Sequence, residues 1–139
     1  MKSHAASCYN QAFDIWESGE NPVKALELAA TSLNLYREVG TAKNIAIGFW
    51  LFSRTLLAVH APDAALAAAR ACVNAMKEVE EPADWLTASC LEGLARAQLA
   101  TGHPDAANTL AQAQGAIAQI ADADDRELIA SQIVDLLNS

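Results

Sequence analysis

Positive charge is scarce in this chain. Its 9 Lys and Arg stand against 17 Asp and Glu in 139 residues, for a formal net charge of −8. A nucleic-acid surface needs clustered Lys and Arg to displace counterions. Here the basic residues are scattered, so no nucleic acid partner is expected, and the acidity serves solubility or repels wrong partners. Long apolar runs are missing too. The longest contains "AIGFWLF" and is far short of the roughly 20 residues that cross a bilayer, so no membrane partner is expected. The opening "MKSHAASCYNQAF" lacks the apolar core of a signal peptide, and the expectation is a soluble, cytoplasmic protein. Cys8, Cys72 and Cys90 are an odd set with no CxxC spacing. They read as reduced, small apolar residues on helices, with metal ligation as the sharper alternative. There is no Gly-rich phosphate loop. Val and Ile never alternate with polar residues over a useful length, so no strand is expected.

What is present is alanine, in a chain that is 53% hydrophobic and 19% charged with only 6 Gly and 4 Pro. Alanine is the strongest helix former, and apolar residues recur at helical spacing almost throughout. Short breaks divide the pattern. In "SGENP", Asn21 can cap a helix that has Pro22 in its first turn. In "EVGT", Gly40 supplies a left-handed stop and Thr41 the next cap. "VHAPD", "EVEEPAD" and "ATGHPD" follow, the last with Gly102 as stop and Pro104 as start. In "ADADDRE", Asp124 and Glu127 approximate a capping box. The chain thus reads as all-α, with seven helices at about 3–18, 22–38, 42–59, 62–79, 83–101, 104–121 and 125–137. Gly48, Gly93 and Gly115 fall inside helices, where close packing is the expected reason for them.

The breaks repeat. Pro22, Pro62 and Pro104 open every second helix, at intervals of 40 and 42 residues. The third and seventh residues after each proline are alanines: Ala25 and Ala29, Ala65 and Ala69, Ala107 and Ala111. Ser32, Cys72 and Gln114 continue the same face. A stripe of small residues lets a neighbouring backbone approach, so each even helix should press on the odd helices before and after it. With "GENPVKALELAATSL", "HAPDAALAAARAC" and "GHPDAANTLAQA" in register, the chain resembles the tetratricopeptide repeat family in its longer form of about 40 residues. The resemblance implies one domain, a right-handed stack of three antiparallel helical hairpins (about 3–39, 41–80 and 83–121) and a capping helix at about 125–137. On that cap Leu128, Ile129, Ile133, Leu136 and Leu137 should form the buried face. Glu127, Ser131, Gln132 and Asp135 are left for the other.

No nucleophile, base and orienting group converge in the sequence, so catalysis is not expected and no cofactor is implied. His60 and His103 sit at matching turns and read as loop residues. His4 and Cys8 are four apart, but two ligands do not make a zinc site. In the family the first helix of each hairpin lines the concave groove. Carried over by the alanine register, the inward residues are Asn10 and Asp14, Trp50 and Arg54, and Glu92 and Arg96. Arg54 and Arg96 can grip a carboxylate, and Trp50 can serve as an apolar anchor. The plainer reading makes Glu92 and Arg96 a pair on a solvated helix and Trp50 a core residue. The family's clamp for a terminal carboxylate uses a Lys, Asn and Arg set; Asn10 matches its amide, but the lysines do not follow. The resemblance therefore implies a non-catalytic module that binds a protein or peptide with an acidic segment or free carboxylate. Two alternatives stay open. One is a homodimer that fills the groove or covers Trp16 and Trp85. The other is a small-molecule sensor, for which a closed cavity lined by Tyr9, Trp50 and Cys90 would be the mark.

Overall fold

The computed structural model of the protein describes residues 1–138. Among them are seven α-helices and no strand: α1 Lys2–Ser18, α2 Pro22–Val39, α3 Ala42–Ala58, α4 Pro62–Lys77, α5 Asp84–Thr101, α6 Ala106–Ala118 and α7 Ala123–Leu137. No described helix is long and apolar enough to cross a membrane.

Local chemistry sets most of the helix ends. Asn21 Oδ1 accepts the Lys24 N–H at 3.1 Å and caps α2. Thr41 and Asn44 form a reciprocal capping box at the start of α3, which satisfies two otherwise orphaned donors. Three stops use a left-handed residue: Gly19 (φ +72°), His60 (φ +62°) and Gly102 (φ +67°). His60 and Gly102 close identical turns. The Ala61 N–H reaches back to the Leu56 carbonyl as the His103 N–H does to Gln98, the long bond of a Schellman stop.

Several ends depart from the sequence pattern. Gly40 is extended (φ −94°, ψ 178°) rather than left-handed. Its lack of a side chain is needed for space, since a Cβ there would lie 2.7 Å from the Tyr36 carbonyl oxygen. The sixth helix starts at Ala106, two residues later than Pro104. His103 Nδ1 takes the Asp105 N–H at 3.1 Å and folds Pro104 and Asp105 into a turn. Asp122, not Asp124, caps α7, accepting the Asp125 N–H at 2.9 Å.

Consecutive helices pack against each other, most extensively within the pairs α1–α2, α3–α4 and α5–α6. The odd helices also touch in succession, α1 with α3, α3 with α5 and α5 with α7, whereas the even ones do not touch one another. The odd helices therefore form an inner layer and the even ones an outer one. The alanine stripe performs its expected role in the first two pairs, where Ala25, Ala29, Ala65 and Ala69 are buried. The backbones come close enough for side chain to carbonyl bonds between helices: Ser32 Oγ to Ala5 at 2.7 Å, Ser53 Oγ to Ala65 at 2.8 Å and Cys72 Sγ to Ala46 at 3.2 Å. In the third pair the late start of α6 rotates the stripe. Ala107, Ala111 and Gln114 face solvent, and Ala106, Thr109 and Ala113 are buried instead. Gly48 makes room for Leu33, whereas a Cβ at Gly93 would touch Trp50 at an ordinary 3.4 Å and one at Gly115 would meet nothing within 4 Å, so close packing explains Gly48 alone.

The last helix lies on α5 and α6. Ile129 and Ile133 join Ile117 and Ile120 in a small core. A helix turns about 100° per residue, so Leu128 and Leu137 flank that face and stay largely exposed, as does Val134. All three cysteines are free and buried.

Candidate functional site

The four odd helices bound a groove, with α3 and α5 as its floor and α1 and α7 as its sides. One hollow of about 720 Å³ is lined by Trp16, Arg54, Leu57, Arg96, Leu99 and Asp135 among others, all from the later halves of their helices. A second, of about 220 Å³, is lined by Tyr9, Phe13, Trp50, Trp85 and Cys90 with the first turns of α7. The odd helices hence run in one direction. The larger hollow lies at their carboxyl ends, the smaller at their amino ends, and Gln132 borders both.

A chain of charges crosses the floor. The Glu92 carboxylate is fully buried and is held from two sides. Arg54 Nη2 donates to Oε2 and Arg96 Nε to Oε1, the latter at 3.0 Å. Arg96 continues to α7, where its Nη1 and Nη2 grip both oxygens of Asp135 at 2.6 and 2.7 Å and Nη2 also meets the Gln132 carbonyl at 2.7 Å. Two cations and two anions on α3, α5 and α7 thus neutralise one another. Burial lowers the Arg54 pKa, and the Glu92 charge opposes that shift. Burial would also lower Arg96, but Asp135 and Glu92 together raise it. The hydrogen bond from Arg96 holds the Asp135 carboxyl below its ordinary value.

Aromatic rings enclose this chain on the α1 side. The Arg54 guanidinium lies 4.6 Å from the Trp50 ring centroid and 5.9 Å from that of Trp16, where the ring quadrupole favours a cation. Phe13 stacks on Trp50 at 6.4 Å and 19°, and Trp16 meets Trp50 edge-on at 76°. Arg54 Nε and Nη1 and Trp50 Nε1 have no hydrogen-bond partner among the described residues.

Four of the six sequence-designated residues, Trp50, Arg54, Glu92 and Arg96, meet on the groove floor. They are not a free polar strip. Trp50, Arg54 and Glu92 are buried, so neither is Glu92 the solvated partner of a surface pair nor is Arg54 an open fork for an outside carboxylate. Asn10 and Asp14 are exposed and belong to a separate shallow depression with Tyr9 and Phe13. The reason is one residue of loop. Two residues separate the left-handed Gly19 from Pro22, against one for His60 to Pro62 and for Gly102 to Pro104. Aligning the repeats on proline shifts α1 by one. Aligned on the helix stops, Tyr9 and Phe13 correspond to Trp50 and Arg54, and the structure puts them in the groove. Asp135 and Gln132, assigned from sequence to the outer face of the cap, also belong to the site.

The hollow at Tyr9, Trp50 and Cys90 exists but opens to solvent. Burial pushes the Tyr9 phenol up to about 12, so it stays protonated. Cys72 and Cys90 lie Sγ to Sγ at 3.3 Å. Their hydrogen bond and burial push the Cys72 thiol up, which disfavours the reactive thiolate. Among the described residues no three His, Cys, Asp or Glu side chains cluster to hold a metal ion. Comparison of the chain with protein-family models, with curated proteins and with solved structures finds no match in any of the three.

Proposed function

We propose that the protein is a non-catalytic module that binds a protein or peptide segment in the groove between α1 and α7. The alternating inner and outer helices are what a right-handed, tetratricopeptide-like superhelix of hairpins would have, and three buried free cysteines suit the reducing cytoplasm. The observation that carries the reading is the larger hollow. Its volume of about 720 Å³ is in the range of ligand sites, as is its mixture of apolar walls with a few polar groups. Leu57, Leu99 and Leu136 offer surface for apolar side chains, and Arg96 and Asp135 form a polar rim. The internal pairing of both arginines shifts the expected partner toward apolar anchors and away from a free carboxylate.

Selection of a random peptide library on the immobilised full chain tests this. Enriched peptides should lose at least tenfold in affinity for Leu99→Glu, which places a charge on a wall residue that is 37% exposed, with the helical circular dichroism unchanged. Absence of enrichment, or binding indifferent to that change, overturns it. So does a concentration-dependent dimer in sedimentation that Leu99→Glu dissociates, because the groove would then belong to a second copy. The aromatic hollow at the amino end favours a second reading, a site for a small molecule.

A further inference from the structure

We infer that the hollow at the amino end of the groove is a site for a small organic cation, an ammonium group carried on an apolar body. The inference rests on the small-molecule reading and not on the peptide one. Four aromatic side chains, Tyr9, Phe13, Trp50 and Trp85, wall a space of about 220 Å³, large enough for one ring and a substituted ammonium. Among the described residues Asp125 is the only charged one that lines it, and no Lys or Arg does. The Asp125 carboxylate makes no hydrogen bond or ion pair with a described residue; its backbone N–H goes to the Asp122 cap. Gln132 Oε1 is a second acceptor, buried and unpartnered among the described residues.

An unpaired carboxylate beside aromatic walls favours a cation. An anion would be repelled by Asp125. A neutral apolar ligand would strip water from the Asp125 carboxylate and return nothing. A cation neutralises the Asp125 carboxylate and gains the attraction of the rings. The buried unpartnered donor of the lining, Trp50 Nε1, does not argue otherwise. That edge of the indole is turned against α5, where a Cβ at Gly93 would lie 3.4 Å from Cδ1 and 3.8 Å from Nε1. The walls already hold cations elsewhere: Lys43 Nζ sits 5.4 Å from the Trp85 centroid and Arg54 stacks on Trp50. Neither competes from within the hollow, since Arg54 is neutralised by Glu92 and Lys43 is exposed outside.

The test titrates the full chain with benzyltrimethylammonium, with its uncharged carbon isostere neopentylbenzene and with the anion phenylacetate. Binding is read by calorimetry and by the indole N–H resonances of Trp50 and Trp85. The cation should bind about tenfold more tightly than the isostere, in line with a desolvated cation–aromatic contact. Asp125→Asn, which leaves the Asp122 cap in place, should remove most of that preference. Trp85→Leu keeps an apolar wall without a ring and should weaken the cation more than the isostere. Equal affinity for cation and isostere, binding of phenylacetate as tight as the cation, no binding of any of the three, or an Asp125→Asn variant with its preference intact each overturns the site. Leu99→Glu, which probes the other hollow, should leave cation binding unchanged, so the peptide reading and this one fail separately.

Discussion

At the carboxyl end of the groove, four charged side chains on three helices neutralise one another. At the amino end, four aromatic rings wall an open hollow whose lone carboxylate has no counter-charge among the described residues. Trp50 stands between them, with Arg54 on its ring and Phe13 stacked against it. The two ends differ in what burial demands. Moving Glu92 and Arg54 out of water is expensive, and their attraction returns that cost only while both are present. The rings gain from burial outright, with a further aromatic contribution from their geometry. The charged end should therefore be intolerant of single changes and tolerant of paired ones, and the aromatic end the reverse.

The largest expected effect breaks the pair. Glu92→Gln leaves Arg54 buried without a counter-charge and should destabilise the protein by about 3–5 kcal/mol in urea unfolding. Replacing both partners, Arg54→Met with Glu92→Leu, should restore stability to near or above wild type. A small loss for the single change would mean that Arg54 is better solvated than its 5% exposure indicates. At the aromatic end Phe13→Leu keeps the apolar volume approximately and loses the contacts with Tyr9, Trp16 and Trp50. A cost of about 1 kcal/mol is expected, insensitive to salt. A salt-dependent cost would blur the distinction between the ends.

Helix count, caps at Asn21 and Thr41, and the pairing of helices were legible because each has a local cause: the 3.6-residue period, a side-chain oxygen before a first turn, a stripe of alanine. The positions in the groove were half legible. Trp50, Arg54, Glu92 and Arg96 came from two repeats whose turns have equal length. Asn10 and Asp14 missed by one residue because the first turn is longer, and Asp135 was hidden because its partner lies on a helix 39 residues away. The helix stops mark the register better than the prolines, and one of them makes a prediction. His60 occupies the left-handed position that Gly19 and Gly102 occupy elsewhere, a conformation that strains residues with a Cβ. His60→Gly should stabilise the protein by about 0.5–1 kcal/mol, the relief of strain exceeding the entropy that glycine adds to the unfolded chain. A loss would show that the imidazole makes a contact the turn needs.

The smallest effect separates the buried half of the charge chain from its exposed half. The Asp135 side chain is 63% exposed, so solvent screens its pair with Arg96. Asp135→Asn should cost no more than about 0.5 kcal/mol, far below Glu92→Gln in the same chain. Its pH dependence has a fixed sign. The hydrogen bond from Arg96 depresses the Asp135 pKa below 3.8, so the carboxylate is favoured in the folded state. Its contribution is complete well above 3.8 and is lost as the pH falls through the lower folded value. The gap between wild type and Asp135→Asn, measured by urea unfolding, should accordingly close in acid and narrow in high salt. The gap for His60→Gly, which has a conformational origin, should do neither. If the Asp135 gap persists in acid, the fork between Arg96 and Asp135 is not what holds α7 to α5, and the small isoleucine core of α7 carries that contact alone.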